Sequence, residues 1–335
     1  MAKKKIVLSI DGGGIRGIIP GQILIHVERL LKEIYEDSTY KIADHFDLIA
    51  GTSTGGILAC AYLLSEYDRP KYSAEEVVDM YFERGDDIFN IPLFHRMRTL
   101  GGVTDEKYPA DGLEEALQDY FGDVKLNELL KPTLITAYDI KRRKTKFFRQ
   151  HNAQDPENNF LVRDVARATS AAPTYFEAAK IKSDAMKYYP LVDGGVFANN
   201  PAMCAYAEMR SAFSTDEVKI TAKDMMILSI GTGYSKRSYN WDTAKDWGLA
   251  QWVKPVLDIM MSGVSETIDY ELRQIYDAIA APKQYLRING ALPADVDPDM
   301  DCVEPENLEG LRRFGNDLFS KHQEALLKFL KKETK

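Results

Sequence analysis

The feature that most restricts this chain is a pair of glycine-rich junctions, each placed where a short apolar strand pattern gives way to a helical one. KKIVLSI (4–10) runs into DGGGIRG (11–17) and then into PGQILIHVERLLKEIYED (20–37), whose apolar residues recur at helical spacing. FDLIAG (46–51) runs into GTSTGG and then into GGILACAYLLSEY (55–67). Strand, tight turn and helix, met twice in succession, predict parallel strands joined by crossover helices, and so an α/β fold. Glycines at such turns allow backbone paths that a side chain would block, and they leave helix-terminal N–H groups facing open space.

The rest of the chain extends that pattern. TLITAYDI (133–140) and TKFFRQH (145–151) read as neighbouring strands around the polar KRRK, YYPLVDGG (188–195) as a strand entering a turn, and DMMILSIGTG (224–233) as a buried strand. Helical spacing is expected over DGLEEALQDYFGD (111–123) and over LVRDVARATSAAPTYF (161–176), the latter ending at Pro173. Residues 84–111, with Pro92, Gly101, Gly102 and Pro109, read as a long surface connection. From about 234 onward the pattern is mainly helical, closing in SKHQEALLKFLKK (320–332). The expected organisation is a core over 1–233 and a helical elaboration over 234–335 packed on it, one structural domain in all.

Each junction carries a candidate chemistry. GTSTGG sets Ser53 between Gly51 and Gly55 at a strand-to-helix turn, the setting in which a serine oxygen projects above a sheet edge as a nucleophile. DGGGIRG satisfies a dinucleotide-binding spacing through Gly12, Gly14 and Gly17, but no acidic residue closes a second strand about 20 positions later. A Walker-type phosphate loop is excluded because Ile18 stands where lysine would be required. What remains is a loop of small residues whose N–H groups converge at a helix start, as an oxyanion requires, with the charge of Arg16 beside it.

A nucleophilic serine needs a base. Of His26, His45, His95, His151 and His322, the two that could serve a triad are His322, in a charged terminal helix, and His151, at a strand end. Asp193 is better placed: it ends a strand and is followed by Gly194 and Gly195, which permit close backbone approach, and a desolvated carboxylate gains basicity.

Charge and composition exclude other classes. Lys and Arg number 43 against 51 Asp and Glu, a formal net charge of −8, which argues against a nucleic-acid polymer as partner. Three separated cysteines, Cys60, Cys204 and Cys302, form neither a disulfide framework nor a metal motif and suit a reducing cytoplasm. The apolar run after MAKKK is too short for a secretory signal, so any membrane contact is expected to be peripheral.

Taken in order, DGGGIRG, FDLIAGTSTGG, ATSAAPTYF, LVDGGVFANNP and LSIGTG resemble the patatin-like phospholipases over roughly residues 5–233. The resemblance implies a three-layer α/β/α fold around a mostly parallel sheet, and hydrolysis of lipid acyl esters without calcium or another catalytic cofactor. It implies a dyad of Ser53 and Asp193, with Gly51 and Gly55 shaping the elbow and Gly194 and Gly195 the turn after the base. It further implies an oxyanion site from Gly12, Gly13, Gly14 and Thr54, supported by Arg16.

The C-terminal third leaves readings open. YLRING and MDCVEPENLEGL are similar to segments of bacterial patatin-like antiphage effectors, which implies activation by a cyclic dinucleotide, homo-oligomerisation on activation and attack on the inner membrane from the cytoplasm. Against this stand a constitutively active acyl hydrolase and a non-catalytic nucleotide-sensing module. Trp241, Trp247 and Trp252, clustered before VLDIMMSGV, suit a lid, a membrane contact or a core helix, and the six basic residues of KRRKTKFFR (141–149) suit headgroup contact or a solvated hairpin tip.

Overall fold

Residues 4–89, 108–215, 217–235 and 238–331 are described by the computed structural model of the protein. The first strand, β1 (Lys5–Ile10), is buried along nearly its whole length. Ile6, Leu8 and Ile10 join a core on one face of the sheet and Val7 a second core on the other, so its continuous apolar character comes from being covered on both sides. The same division holds in β2 (Leu48–Gly51), where Ile49 faces the first core and Leu48 and Ala50 the second.

The main sheet has eight strands. With β3 (Thr133–Asp139), β4 (Lys144–Arg149), β5 (Ala179–Lys182), β6 (Tyr188–Asp193), β7 (Met225–Ile230) and β8 (Tyr285–Ile288), the order is β8-β7-β1-β2-β3-β6-β5, and β4 pairs with β3 beside this path. Pairings from β8 through to β3 are parallel; those of β3 with β4 and β6, and of β5 with β6, are antiparallel. The first core is shared with α1 (Ile18–Tyr35), α2 (Thr54–Leu63) and α8 (Pro305–Leu330). The second is shared with α6 (Ala202–Ala212) and the C-terminal half of α7 (Leu249–Ala278). Helices thus cover both faces, in the three-layer arrangement expected.

Differences from the sequence reading are local. The helix α3 (Ala74–Phe89) continues past residue 84, and α4 (Asp111–Phe121) begins at 111. Residues 90–107, most of the expected surface connection, lie outside the described residues. The helix expected to end at Pro173 is α5 (Val162–Thr169) and stops four residues earlier, because the Thr169 hydroxyl is engaged by the sheet. After residue 234 the chain also supplies β8, whose parallel pairing with β7 extends the sheet. Among the described residues no helix is long and apolar enough to cross a membrane.

One detail of register positions the site. Along one edge, β3 pairs with β4 from Leu134 to Asp139. Its other edge is divided: Gly51, the last residue of β2, lies opposite Ile135, and Asp193, the last residue of β6, lies opposite Ala137. Because β2 runs parallel to β3 and β6 antiparallel, their C-terminal ends approach each other from opposite directions, with Thr136 between them. Two turns leaving the sheet at that fork must face one another.

Candidate active site

The turn after β2 is strained in the way an exposed serine oxygen requires. Ser53 has φ 54° and ψ −126°, a left-handed backbone rare for a residue with a Cβ and worth about 1–3 kcal/mol of strain. Gly51 and Gly55 make the turn sterically possible, since a Cβ on Gly51 would lie on the Gly55 carbonyl and one on Gly55 on the Ile10 carbonyl. The Ser53 N–H donates to Thr169 Oγ1 (2.8 Å), and that hydroxyl donates to the Thr136 carbonyl (2.7 Å), tying the elbow to the fork.

From the other side of the fork, Asp193 meets this serine. Its carboxylate accepts a hydrogen bond from the Gly195 N–H (2.7 Å), and the neighbouring Ser53 hydroxyl also favours its charged form. Only 5% of Asp193 is exposed, and burial pushes its pKa from 3.8 to about 6, the Ser53 hydroxyl and the Gly195 N–H pulling against that rise. A Cβ on Gly194 would collide with the Thr136 hydroxyl, so the turn after Asp193 is held tightly against the same strand residue.

The glycine loop closes the site from β1. Gly12 differs from the expectation: its N–H donates to the Asn199 carbonyl (3.0 Å), so it is not available to an oxyanion, and its carbonyl accepts from Thr232 Oγ1 (2.7 Å). The Ile15 N–H is likewise committed, to the Met300 carbonyl (2.9 Å). Among the described residues no hydrogen bond engages the N–H of Gly13, Gly14 or Thr54, and these three residues line the cavity that contains Ser53 and Asp193. The Arg16 side chain lies behind the loop, its Nε donating to the Gly13 carbonyl (3.4 Å), and burial lowers its pKa.

That cavity, about 120 Å³, is walled by apolar side chains that include Ile57, Leu117, Phe176, Leu257 and Met261. A second cavity of about 700 Å³ lies behind the glycine loop, is polar, and shares Tyr175, Leu257, Met261 and Met300 with the first. The candidate histidines stand apart. His322 bonds the Leu318 carbonyl on α8 and His151 bonds Glu208, and neither lines the cavity at Ser53. His95 is outside the described residues.

Several functional contacts had little sequence signal. Asp11 was visible only as the residue before the glycines, yet it forms a buried bidentate ion pair with Arg287 of β8 (2.8 and 2.5 Å). Ser229 Oγ and Ser265 Oγ complete the guanidinium's partners at 2.8 and 3.1 Å, so β8, β7 and α7 all grip the start of the glycine loop. Thr169 sits within the ATSAAP block and Asn199 within FANNP, where composition alone does not reveal their bonds to the elbow and the loop.

A strained serine and a buried carboxylate sharing one apolar cavity beside a mostly parallel sheet place the protein among α/β proteins with a hydrolase-type elbow. The chain belongs to the patatin-like phospholipase family, whose model matches residues 8–206. It is by family a lipid acyl hydrolase. It is 34% identical to patatin-like protein 4 of Arabidopsis thaliana over 93% of this chain and 82% of that protein. It is 32% identical to a probable inactive patatin, patatin-3-Kuras 1 of Solanum tuberosum, over 94% of this chain and 86% of that one. Among solved structures, human GIVD cytosolic phospholipase A2 aligns with TM-score 0.48 and 10% identity, covering 98% of this chain and 60% of that chain.

Proposed function

We propose that the protein is an active phospholipase A-type enzyme working through a Ser53–Asp193 dyad and an acyl-enzyme. Family membership alone does not carry this, since one relative bears the name of a probable inactive patatin. The observation that carries it is the strained Ser53 and the buried Asp193 brought into one cavity, beside the unengaged N–H groups of Gly13, Gly14 and Thr54. Asp193 takes the serine proton as Ser53 Oγ bonds to the acyl carbonyl carbon, and the three N–H groups hold the developing oxyanion. The ester C–O bond then breaks, and the proton on Asp193 passes to the departing alkoxide oxygen. In the second half Asp193 takes a proton from water, the resulting hydroxide attacks the acyl-enzyme, and the proton returns to Ser53 as the fatty acid leaves.

The substrate proposed is membrane phospholipid, met from the cytoplasmic side at the inner membrane, with the acyl chain in the apolar cavity. No cofactor takes part in these steps. Activation by a cyclic dinucleotide is the second half of the proposal. It is supported by the polar cavity, whose volume suits a small ligand and whose wall includes Arg16 and, through Met300, the glycine loop itself, alongside Arg273 and Arg287 paired with Asp269 and Asp11. The experiment is fatty-acid release from vesicle phospholipid, with and without a panel of cyclic di- and trinucleotides, alongside fluorophosphonate labelling. Labelling lost in Ser53→Ala, with lipid hydrolysis lost in both Ser53→Ala and Asp193→Asn, is the expected result. Retained hydrolysis in either variant would overturn the dyad, and full activity without nucleotide would overturn the activation.

A further inference from the structure

The two halves of α7 treat their apolar residues in opposite ways. In the C-terminal half, Ile268, Leu272 and Tyr276 are buried in the second core. In the N-terminal half, Leu249, Trp252, Val253, Val256, Ile259 and Met260 recur at helical spacing, so they form one stripe, and all six are exposed, Leu249 to 91%. Just before the helix, Trp241 is 73% exposed with Lys245 Nζ over its ring, and Trp247 stacks edge-on against both Tyr239 and Trp252. A contiguous exposed apolar stripe with tryptophans at its rim marks a surface that something else covers.

Its position identifies the occupant. Leu257 and Met261, beside the stripe on the same helix, line the apolar cavity at Ser53, and Met260 both lines that cavity and reaches solvent. The stripe is therefore continuous with the cavity mouth. A protein seated on it would cover the entrance, whereas a lipid surface would bring acyl chains to it. We infer that the exposed stripe of α7, with Trp241, is the surface by which the protein docks on a phospholipid aggregate; this rests on the reading of the cavity as an acyl site. With a net charge of −8 on the chain, attraction to anionic lipid does not drive the docking. It is apolar, carried by side chains that leave water at the acyl boundary.

The test uses the full chain with Leu249→Glu/Val253→Glu, two residues that do not line either cavity. Co-sedimentation with phosphatidylcholine vesicles is expected to weaken at least about tenfold, and hydrolysis of vesicle phospholipid to fall in parallel, while hydrolysis of a water-soluble short-chain ester stays within about twofold of wild type. Binding of the wild type is expected to be unchanged between low and high salt. Unaltered vesicle binding by the variant overturns the inference. So does a wild-type dimer in sedimentation velocity that the double substitution converts to monomer without loss of vesicle binding, because the stripe would then be covered by a second copy. Vesicle binding is also measured on Ser53→Ala, which is expected to dock like wild type; a wild type that docks normally but hydrolyses no soluble ester refutes only the catalytic reading.

Discussion

Replacing Asp193 by asparagine should remove activity and stabilise the fold. The carboxyl's pKa is raised from 3.8 to about 6 because burial disfavours its charged form more than the Ser53 hydroxyl and the Gly195 N–H favour it. Above pH 6 the folded protein therefore holds a charge it would rather shed, a penalty of roughly 3 kcal/mol at 1.36 kcal/mol per pH unit. The sign follows from the raised value: the penalty is complete above about pH 6 and disappears as pH falls toward 3.8. Asparagine keeps an oxygen to accept the Gly195 N–H but carries no charge. Thermal melts at pH 7 should place Asp193→Asn roughly 5 °C above wild type, the gap narrowing to about half at pH 5. The wild-type kcat/KM on a soluble ester should fall about tenfold from pH 7 to pH 5 as the base takes up a proton. An asparagine variant that melts with or below wild type at pH 7, or a wild-type profile flat across pH 6, would refute the assignment of a desolvated carboxylate as base.

Other substitutions report on the parts that hold the proposed dyad. Arg287→Met leaves Asp11 buried without its guanidinium partner and should destabilise the protein by about 3–5 kcal/mol in chemical denaturation. Thr169→Val removes the bonds to the Ser53 N–H and the Thr136 carbonyl and should cost about 1–3 kcal/mol, with a fall in kcat larger than any change in KM. Gly13→Ala places a Cβ against Thr232, shifting a donor of the oxyanion site, and steady-state kinetics should show kcat lower by about 10²–10³.

The two glycine junctions made the parallel half of the sheet legible from sequence, because strand, turn and helix follow one another locally with distinct periodicities. Ser53 was legible for the same reason, and Asp193 as an acid ending a strand before two glycines. The division of the β3 edge was not, since pairing partners far apart in sequence leave no periodic trace. Arg287 illustrates the limit: within YLRING nothing distinguishes an arginine bound for Asp11 from a solvated one. Gly12 illustrates another, for three adjacent glycines read alike and only the Asn199 carbonyl decides which N–H is spent. The strand Ala179–Lys182 is short and half exposed, and its pattern is set by pairing with β6 and not by its own propensity.

The meeting of β2 and β6 along one edge of β3 bears on when the protein can act during its own synthesis. The elbow follows β2, which emerges before β6, and Asp193 reaches it only after the strand ending at residue 193 has docked from the opposite direction. A nascent or partly folded chain can thus carry Ser53 without Asp193. Hydrolytic competence of the proposed dyad arrives late, as a property of the completed sheet.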